Sequence, residues 1–323
     1  MMIKNSQFSQ GVKFVLFFSV LFLWMSACSP TVTEKKVVKF AVLPILDSLP
    51  MYVAQQEGLF EKHNLEVELV PVSSGPERDQ LIAANQIDGM INEVLTTILN
   101  NRTSKNVVIV RFARAASVNT PLFSIVASAQ SGITSVDQLK GVPIGISEGT
   151  VIAYLTDRIL QMEGFAQDEI VTIAVPKIPD RVTLISNGEL DAGTMPEPVA
   201  SLLALQGATV VLADNQYPEY SYSTIAFRNA YVENDPDGVK AFLAAIEEAV
   251  VLINADPARW EPTLVENNIL PAPLQGNFQV PTFITAGVPS MEQYADVMDW
   301  AQEKGLVSAY VPYEQCISPD FLP

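Results

Sequence analysis

Along most of this chain, apolar runs of strand length alternate with amphipathic stretches of helix length, a pattern that predicts an α/β fold with mainly parallel strands. The spacing predicts a strand over 37–43, a helix from 51 to about 61 and a strand over 65–70. A helix introduced by Ser73-Ser74-Gly75-Pro76 should end near Asn85, after which 88–91, 94–101 and 107–112 read as strand, helix and strand. A second set begins near Ser124. It places strands at 143–146, 170–175, 191–195 and 209–213, and helices over 135–140, from 147–150 to Gly164, over 181–187 and over 199–205. After an apolar run over 222–227 the pattern changes to long helices, 237–255 and 291–304.

In open α/β sheets, ligands gather beyond the carboxyl ends of the strands, where helix N-termini also present unpaired N–H groups. Five segments take that position: 47–50, 73–76, 92–93, 147–150 and 194–198. They supply the candidate ligand-binding residues Asp47, Ser48, Ser73, Ser74, Gly75, Asn92, Glu93, Ser147, Glu148, Gly149, Thr150, Met195 and Glu197, joined by Arg114 as a nearby cation and Tyr222 as an apolar face. Capping hydroxyls, and Pro50, Pro76 and Pro196 in first turns, are equally what ordinary helix starts require. Both readings stay open for any single segment. Three such segments in the first set and two in the second suit a cleft between two halves.

Composition removes several function classes. A net charge of -17 opposes attraction to phosphate backbones, so nucleic acid is not expected as a partner. His63 is the only histidine and sits in the polar turn Glu61-Lys62-His63-Asn64, expected to face solvent, so triad catalysis and histidine-rich metal sites have little support. No catalytic residue, metal ligand or cofactor is assigned.

The N-terminus addresses location. Lys4 and Lys13 precede an apolar run over 15–25 that is shorter than the ~20 residues a membrane-spanning helix needs, and the run stops at Met25-Ser26-Ala27-Cys28. This reads as a secretory signal over 1–28 ending in a lipobox, with 29–36 as linker; the alternative is an uncleaved anchor helix. Resemblance to bacterial lipoproteins implies cleavage before Cys28, lipid (palmitate) attachment to its thiol, and an extracytoplasmic protein tethered to the membrane. Cys316, the second of two cysteines, would then be left as a free or buried thiol. Without the signal roughly 300 residues remain, enough for two domains.

Two longer stretches carry a family likeness. Gln56-Glu57-Gly58-Leu59-Phe60-Glu61-Lys62-His63-Asn64-Leu65-Glu66-Val67 and Leu81-Ile82-Ala83-Ala84-Asn85-Gln86-Ile87-Asp88-Gly89 resemble the opening lobe of ABC-importer solute-binding proteins, in the branch for sulfonates, taurine, nitrate and thiamine-pyrimidine precursors. Ser135-Val136-Asp137-Gln138-Leu139-Lys140-Gly141, Asn187-Gly188-Glu189-Leu190-Asp191-Ala192 and Glu197-Pro198 extend it across most of 37–227. The resemblance implies a type II periplasmic-binding-protein architecture: lobe I from 37–123 plus 222–323, lobe II from 124–221, and two crossovers between them. It also implies a monomer that closes on a small-molecule solute and is read by ABC permease subunits, or by a sensor, without chemistry on the solute. The rival of another class is a thiamine-pyrimidine synthase-like enzyme, whose histidine and cysteine-rich motif have no counterpart here.

Anion-binding relatives need dense cationic or N–H stabilisation. Arg111, Arg114 and Arg181 are the nearest cations, opposed by Asp47, Glu93, Glu148 and Glu197. The balance favours a vitamin precursor or nitrogen heterocycle, such as a thiamine pyrimidine or riboflavin, over sulfonate, taurine or nitrate. Tyr52, Phe123, Tyr154 or Tyr222 would supply apolar faces.

Overall fold

The computed structural model describes residues 37–323. The signal, the lipobox at Cys28 and the linker lie outside the described residues. Elements follow the predicted alternation: β1 (Val37–Val42), α1 (Leu49–Gln56), β2 (Glu66–Pro71), α2 (Gly75–Ala83), β3 (Gly89–Asn92), α3 (Val94–Asn101) and β4 (Val107–Ala115). The second set is β5 (Phe123–Ala127), β6 (Pro143–Ile146), α4 (Val151–Met162), β7 (Val171–Ala174), α5 (Ile178–Asn187), β8 (Ala192–Pro196), α6 (Val199–Leu205) and β9 (Thr209–Ala213). Then come β10 (Tyr222–Arg228), the long helix α7 (Pro236–Ala255) and α8 (Met291–Glu303).

Two five-stranded sheets result, ordered β2-β1-β3-β10-β4 and β7-β6-β8-β5-β9. β1 runs parallel to β2 and β3, and β6 runs parallel to β7 and β8. β10 is antiparallel to both its neighbours, and so is β5. The reversed strand in each sheet is therefore the first one laid down after a crossing, between β4 and β5 on the way out and between β9 and β10 on the way back. Each sheet carries helices on its faces, giving the expected two-lobed, mainly parallel architecture.

Asp214 holds the two crossings together. Its carboxylate accepts the Leu122 N–H at 3.0 Å and the Phe123 N–H at 2.8 Å from the outward crossing, and the Ser221 hydroxyl from the return. The residue is fully buried, and burial pushes its carboxyl up to about 6, only partly offset by these donors.

The core of the first lobe is aromatic. Phe242 on α7 stacks on Phe40 of β1 at 4.8 Å and on Phe60 at 5.2 Å, with Phe227 of β10 edge-on at 5.3 Å. α8 reaches the other lobe: Trp300 Nε1 and Lys304 Nζ donate to Asp157 of α4 at 2.7 and 2.9 Å, and Asp296 accepts from Tyr154 and Arg158.

One predicted helix is interrupted. The segment expected to run unbroken from 51 to about 61 ends at Gln56, because Gly58 takes a left-handed φ of 66° and starts a separate turn at Leu59–Lys62. His63 is half-buried rather than open to solvent, with Nε2 2.9 Å from Glu248 Oε1. Cys316 is a buried free thiol, approached by Tyr294 Oη and Asn101 Nδ2 at 3.5 Å each.

Candidate functional site

The carboxyl ends of β1, β3, β6 and β8 converge on a cavity between the lobes. Its first wall is Leu43, Ile45, Asp47, Gly75, Arg78, Ile91, Asn92, Glu93 and Ser223; Phe123, Ser147, Thr150, Val151, Ile152, Pro176, Ile178 and Pro196 line the remainder. Local chemistry sets these positions. The Ser74 hydroxyl accepts the Glu77 N–H at 3.2 Å and caps α2, fixing Gly75 at the cleft. Thr150 caps α4 by accepting the Ile152 N–H at 3.2 Å.

The walls stand close, leaving about 50 Å³ between them. A Cβ on Gly75 would come within 2.9 Å of Thr150 Cγ2 across the gap. Thr96 Oγ1, whose proton goes to Glu93 Oε1 at 2.6 Å, lies 3.3 Å from the Gly149 carbonyl, and the Val151 N–H at the start of α4 approaches Glu93 Oε1 at 3.4 Å. Sites for organic ligands occupy several hundred Å³, so admitting one requires the lobes to separate.

Arg78, the one cation among the described residues that line the cavity, is engaged locally. Nη1 donates to Glu93 Oε2 and to the Ile91 carbonyl, both at 2.9 Å, Nε donates to Asp79 at 2.9 Å, and Nη2 donates to Thr96 at 3.2 Å. Burial works against its charge, but Asp79 and Glu93 more than compensate and hold it above the ordinary arginine range. Asp47 lines the cavity floor, with Oδ1 3.7 Å from Arg114 Nη1. Burial raises its carboxyl, with the charge of Arg114 and the nearby Ser223 hydroxyl opposing.

Buried polar atoms without hydrogen-bond partners concentrate here. Among the described residues they are Asp47 Oδ1, Asn92 Oδ1, Ser147 Oγ, Ser223 Oγ, Thr224 Oγ1, and Nε and Nη2 of Arg181. The first four residues line the cavity, Thr224 follows Ser223, and Arg181 bonds the backbone just behind Pro176. The Asn92 amide is oriented by logic: Thr97 Oγ1 gives its proton to the Glu93 carbonyl at 3.0 Å, so it accepts from Asn92 Nδ2 at 2.8 Å and leaves the Asn92 oxygen free. Orphaned buried groups are rare in proteins, and these cluster at one cleft, where a hydrogen-bonding guest could pair with them.

Of the residues singled out from sequence, Asp47, Gly75, Asn92, Glu93, Ser147 and Thr150 meet at the cavity. Ser74 serves as the cap behind it, and Gly149 contributes a carbonyl to the lobe contact. Others lie elsewhere. Ser48 donates to the Leu43 carbonyl at 2.8 Å, Ser73 donates to Glu77 at 2.7 Å on an outer groove, Glu148 is exposed, and Met195 is packed in the core. Arg114 and Glu197 border a neighbouring cavity of about 340 Å³, where Ser201 donates to Glu197 at 2.7 Å and burial raises the Glu197 carboxyl. Tyr222 donates to the Gln293 carbonyl at 3.3 Å. Phe123 is the single aromatic among the described residues that line the interlobe cavity; Tyr52 faces the outer groove, and Tyr154 packs edge-on against Trp300. Arg78, Ser223 and the wall of Leu43, Ile45, Ile91, Ile152 and Ile178 carry no sequence signal that separates them from ordinary core and helix positions.

Comparison with known proteins places this geometry. Residues 46–259 match the protein family described as "NMT1/THI5 like". A candidate binding protein of Brucella abortus is 29% identical over 64% of this chain, and the chain spans 63% of that relative's length. A candidate thiamine biosynthesis protein of Haemophilus influenzae is 26% identical over 81% of this chain and 84% of its own. Among solved structures, the alkanesulfonate-binding protein SsuA from Xanthomonas axonopodis pv. citri, bound to MOPS, superposes with a TM-score of 0.74 at 18% identity, covering 88% of this chain and 99% of that one.

Proposed function

This chain belongs to the NMT1/THI5-like family, and on that premise we propose that it is the extracytoplasmic solute-binding component of an ABC importer, lipid-anchored through Cys28. It takes up a small nitrogen-bearing organic solute between lobe I (37–123 plus 222–323) and lobe II (124–221), and ABC permease subunits read the closed form. The observation that carries this reading is the cluster of unpartnered Asp47, Asn92, Ser147 and Ser223 atoms in a cleft that two crossings can open. A solute that satisfies both walls stabilises closure by the contacts it makes only in the closed state.

The donor set favours nitrogen over a bare anion. A carboxylate oxygen and an amide oxygen can only accept, so the solute must present N–H or O–H groups to them. Arg78 is committed to Glu93 and Asp79, leaving sulfonate or nitrate facing Asp47 and Glu93 with no free cation among the described residues that line the cavity. An amino-substituted heterocycle of vitamin-precursor type meets these demands, with Phe123 and the isoleucine side chains covering its faces.

Calorimetric titration of the purified protein tests this. Micromolar or tighter binding of an aminopyrimidine or flavin, lost in Asp47→Asn, is expected. Tight binding of alkanesulfonate or nitrate with no response to nitrogen heterocycles overturns the proposed solute class, and turnover of any bound compound overturns the transport role.

A further inference from the structure

Four arginines are buried in the described residues, and three have a carboxylate. Arg78 pairs with Glu93, Arg111 with Glu247 at 2.6 Å, and Arg114 with Asp47. Arg181 is the exception: it is 0% exposed, forms no ion pair among the described residues, and leaves Nε and Nη2 without any partner. Its only bonds run from Nη1 to the Val175 carbonyl at 2.7 Å and the Pro176 carbonyl at 3.5 Å. Burial lowers its pKa to about 10, which still leaves it charged at neutral pH. A desolvated guanidinium without a counter-charge is among the costliest arrangements a fold can hold, and one that persists points to a charge supplied from outside the chain.

Its position says where. Arg181 lies in the first turn of α5, and both Pro176 and Ile178 line the interlobe cavity. Its Cδ lies 3.5 Å from the Cβ position of Gly145 on β6, two residues before Ser147, whose Oγ is also unpartnered and lines the same cavity. The opposite wall carries the acceptors Asp47 and Asn92. The cleft is therefore chemically two-sided, with hydrogen-bond acceptors on the lobe I wall, where Asp47 and Glu93 already have arginine counter-charges, and an uncompensated cation one residue layer behind the lobe II wall.

We infer that the solute is dipolar: a nitrogen donor end meets Asp47 and Asn92, and an acidic end, carboxylate or phosphate, lies against Ser147 and Pro176 under the charge of Arg181. Arg181 acts as a specificity-determining residue for that end. This rests on the solute-binding reading of the cleft and adds the second charge to it.

The test uses matched pairs that differ only in the acidic group: tyramine against tyrosine, ethanolamine against its O-phosphate, and an (aminopyrimidinyl)methanol against its phosphate. Each is titrated calorimetrically into the full chain and into Arg181→Met and Arg181→Lys, with melting temperatures recorded alongside. For any pair that binds, the acid-bearing member should bind at least ten-fold tighter to the wild type. Arg181→Met should erase that ratio while leaving affinity for the acid-free member within about two-fold, and Arg181→Lys should keep part of it. Should Arg181→Met fail to fold, the wild-type ratio and its reduction in Arg181→Lys decide. Equal affinity within a pair, or a ratio that survives Arg181→Met, overturns the role of Arg181 while leaving the cleft a binding site. Failure of all six compounds to bind overturns this inference, and the cleft reading falls with it only where no other aminopyrimidine and no flavin binds either.

Discussion

Arg78 and Glu93, fifteen positions apart, meet as a buried ion pair at the cleft, with Arg78 Nη1 donating to Glu93 Oε2 at 2.9 Å. Removing one partner strands the other charge, an effect worth about 3–5 kcal/mol in buried pairs. Glu93→Ala should therefore lower the unfolding free energy in urea by roughly 3 kcal/mol, softened by Asp79. The double variant Arg78→Met, Glu93→Ala should lose clearly less than the sum of the single changes.

Asp47 differs in having a weaker pairing. Burial raises its carboxyl, and Arg114 Nη1 stands 3.7 Å from its Oδ1, so the neutral amide would leave that buried guanidinium with only Glu197 and Asp214, among the described residues, as the carboxylates acting on it. Asp47→Asn should therefore cost less stability than Glu93→Ala, yet weaken solute binding at least ten-fold, about 1.4 kcal/mol. Binding that stays within about two-fold of the wild type would assign it a structural role instead.

Gly75 tests closure. With Thr150 Cγ2 only 2.9 Å from the place a Cβ would occupy, Gly75→Ala should hold the lobes apart. Solute affinity should fall several-fold, and small-angle scattering with solute present should show a larger radius of gyration than the wild type. Adding Thr150→Ser removes the offending methyl and keeps the capping oxygen, so affinity should return.

The clasp at Asp214 makes stability depend on pH. Its folded pKa of about 6 lies above the ordinary 3.8, so between about pH 4 and 6 the folded state binds more protons than the unfolded one. Stability from this group is present below that window and is lost as pH rises through it, by up to about 3 kcal/mol. Asp214→Asn should flatten this component: urea unfolding at pH 4 and pH 7 should show a larger drop for the wild type than for the variant.

Strand ends and helix starts are legible in the sequence because capping residues announce them, and the structure brings Gly75, Asn92, Ser147 and Thr150 from such segments to the interlobe cavity. Ile45, Ile91, Ile152 and Ile178 were not, since an isoleucine facing a cleft follows the same periodicity as one facing the core. Ser223 reaches the site only because β10 returns to the first sheet after the whole second lobe, with Thr224 opposite Asn92. Glu148 shows the opposite failure: a helix start fixes its backbone at the cleft, but the side chain turns to solvent.

The insertion of β10 between β3 and β4 also dictates an order of assembly. As the chain emerges during synthesis, the nested lobe is complete once β9 has appeared, whereas β4 has no neighbour until residues 222–228 follow. The inner half can therefore mature first, while the outer half waits open-edged for the strand that seals it.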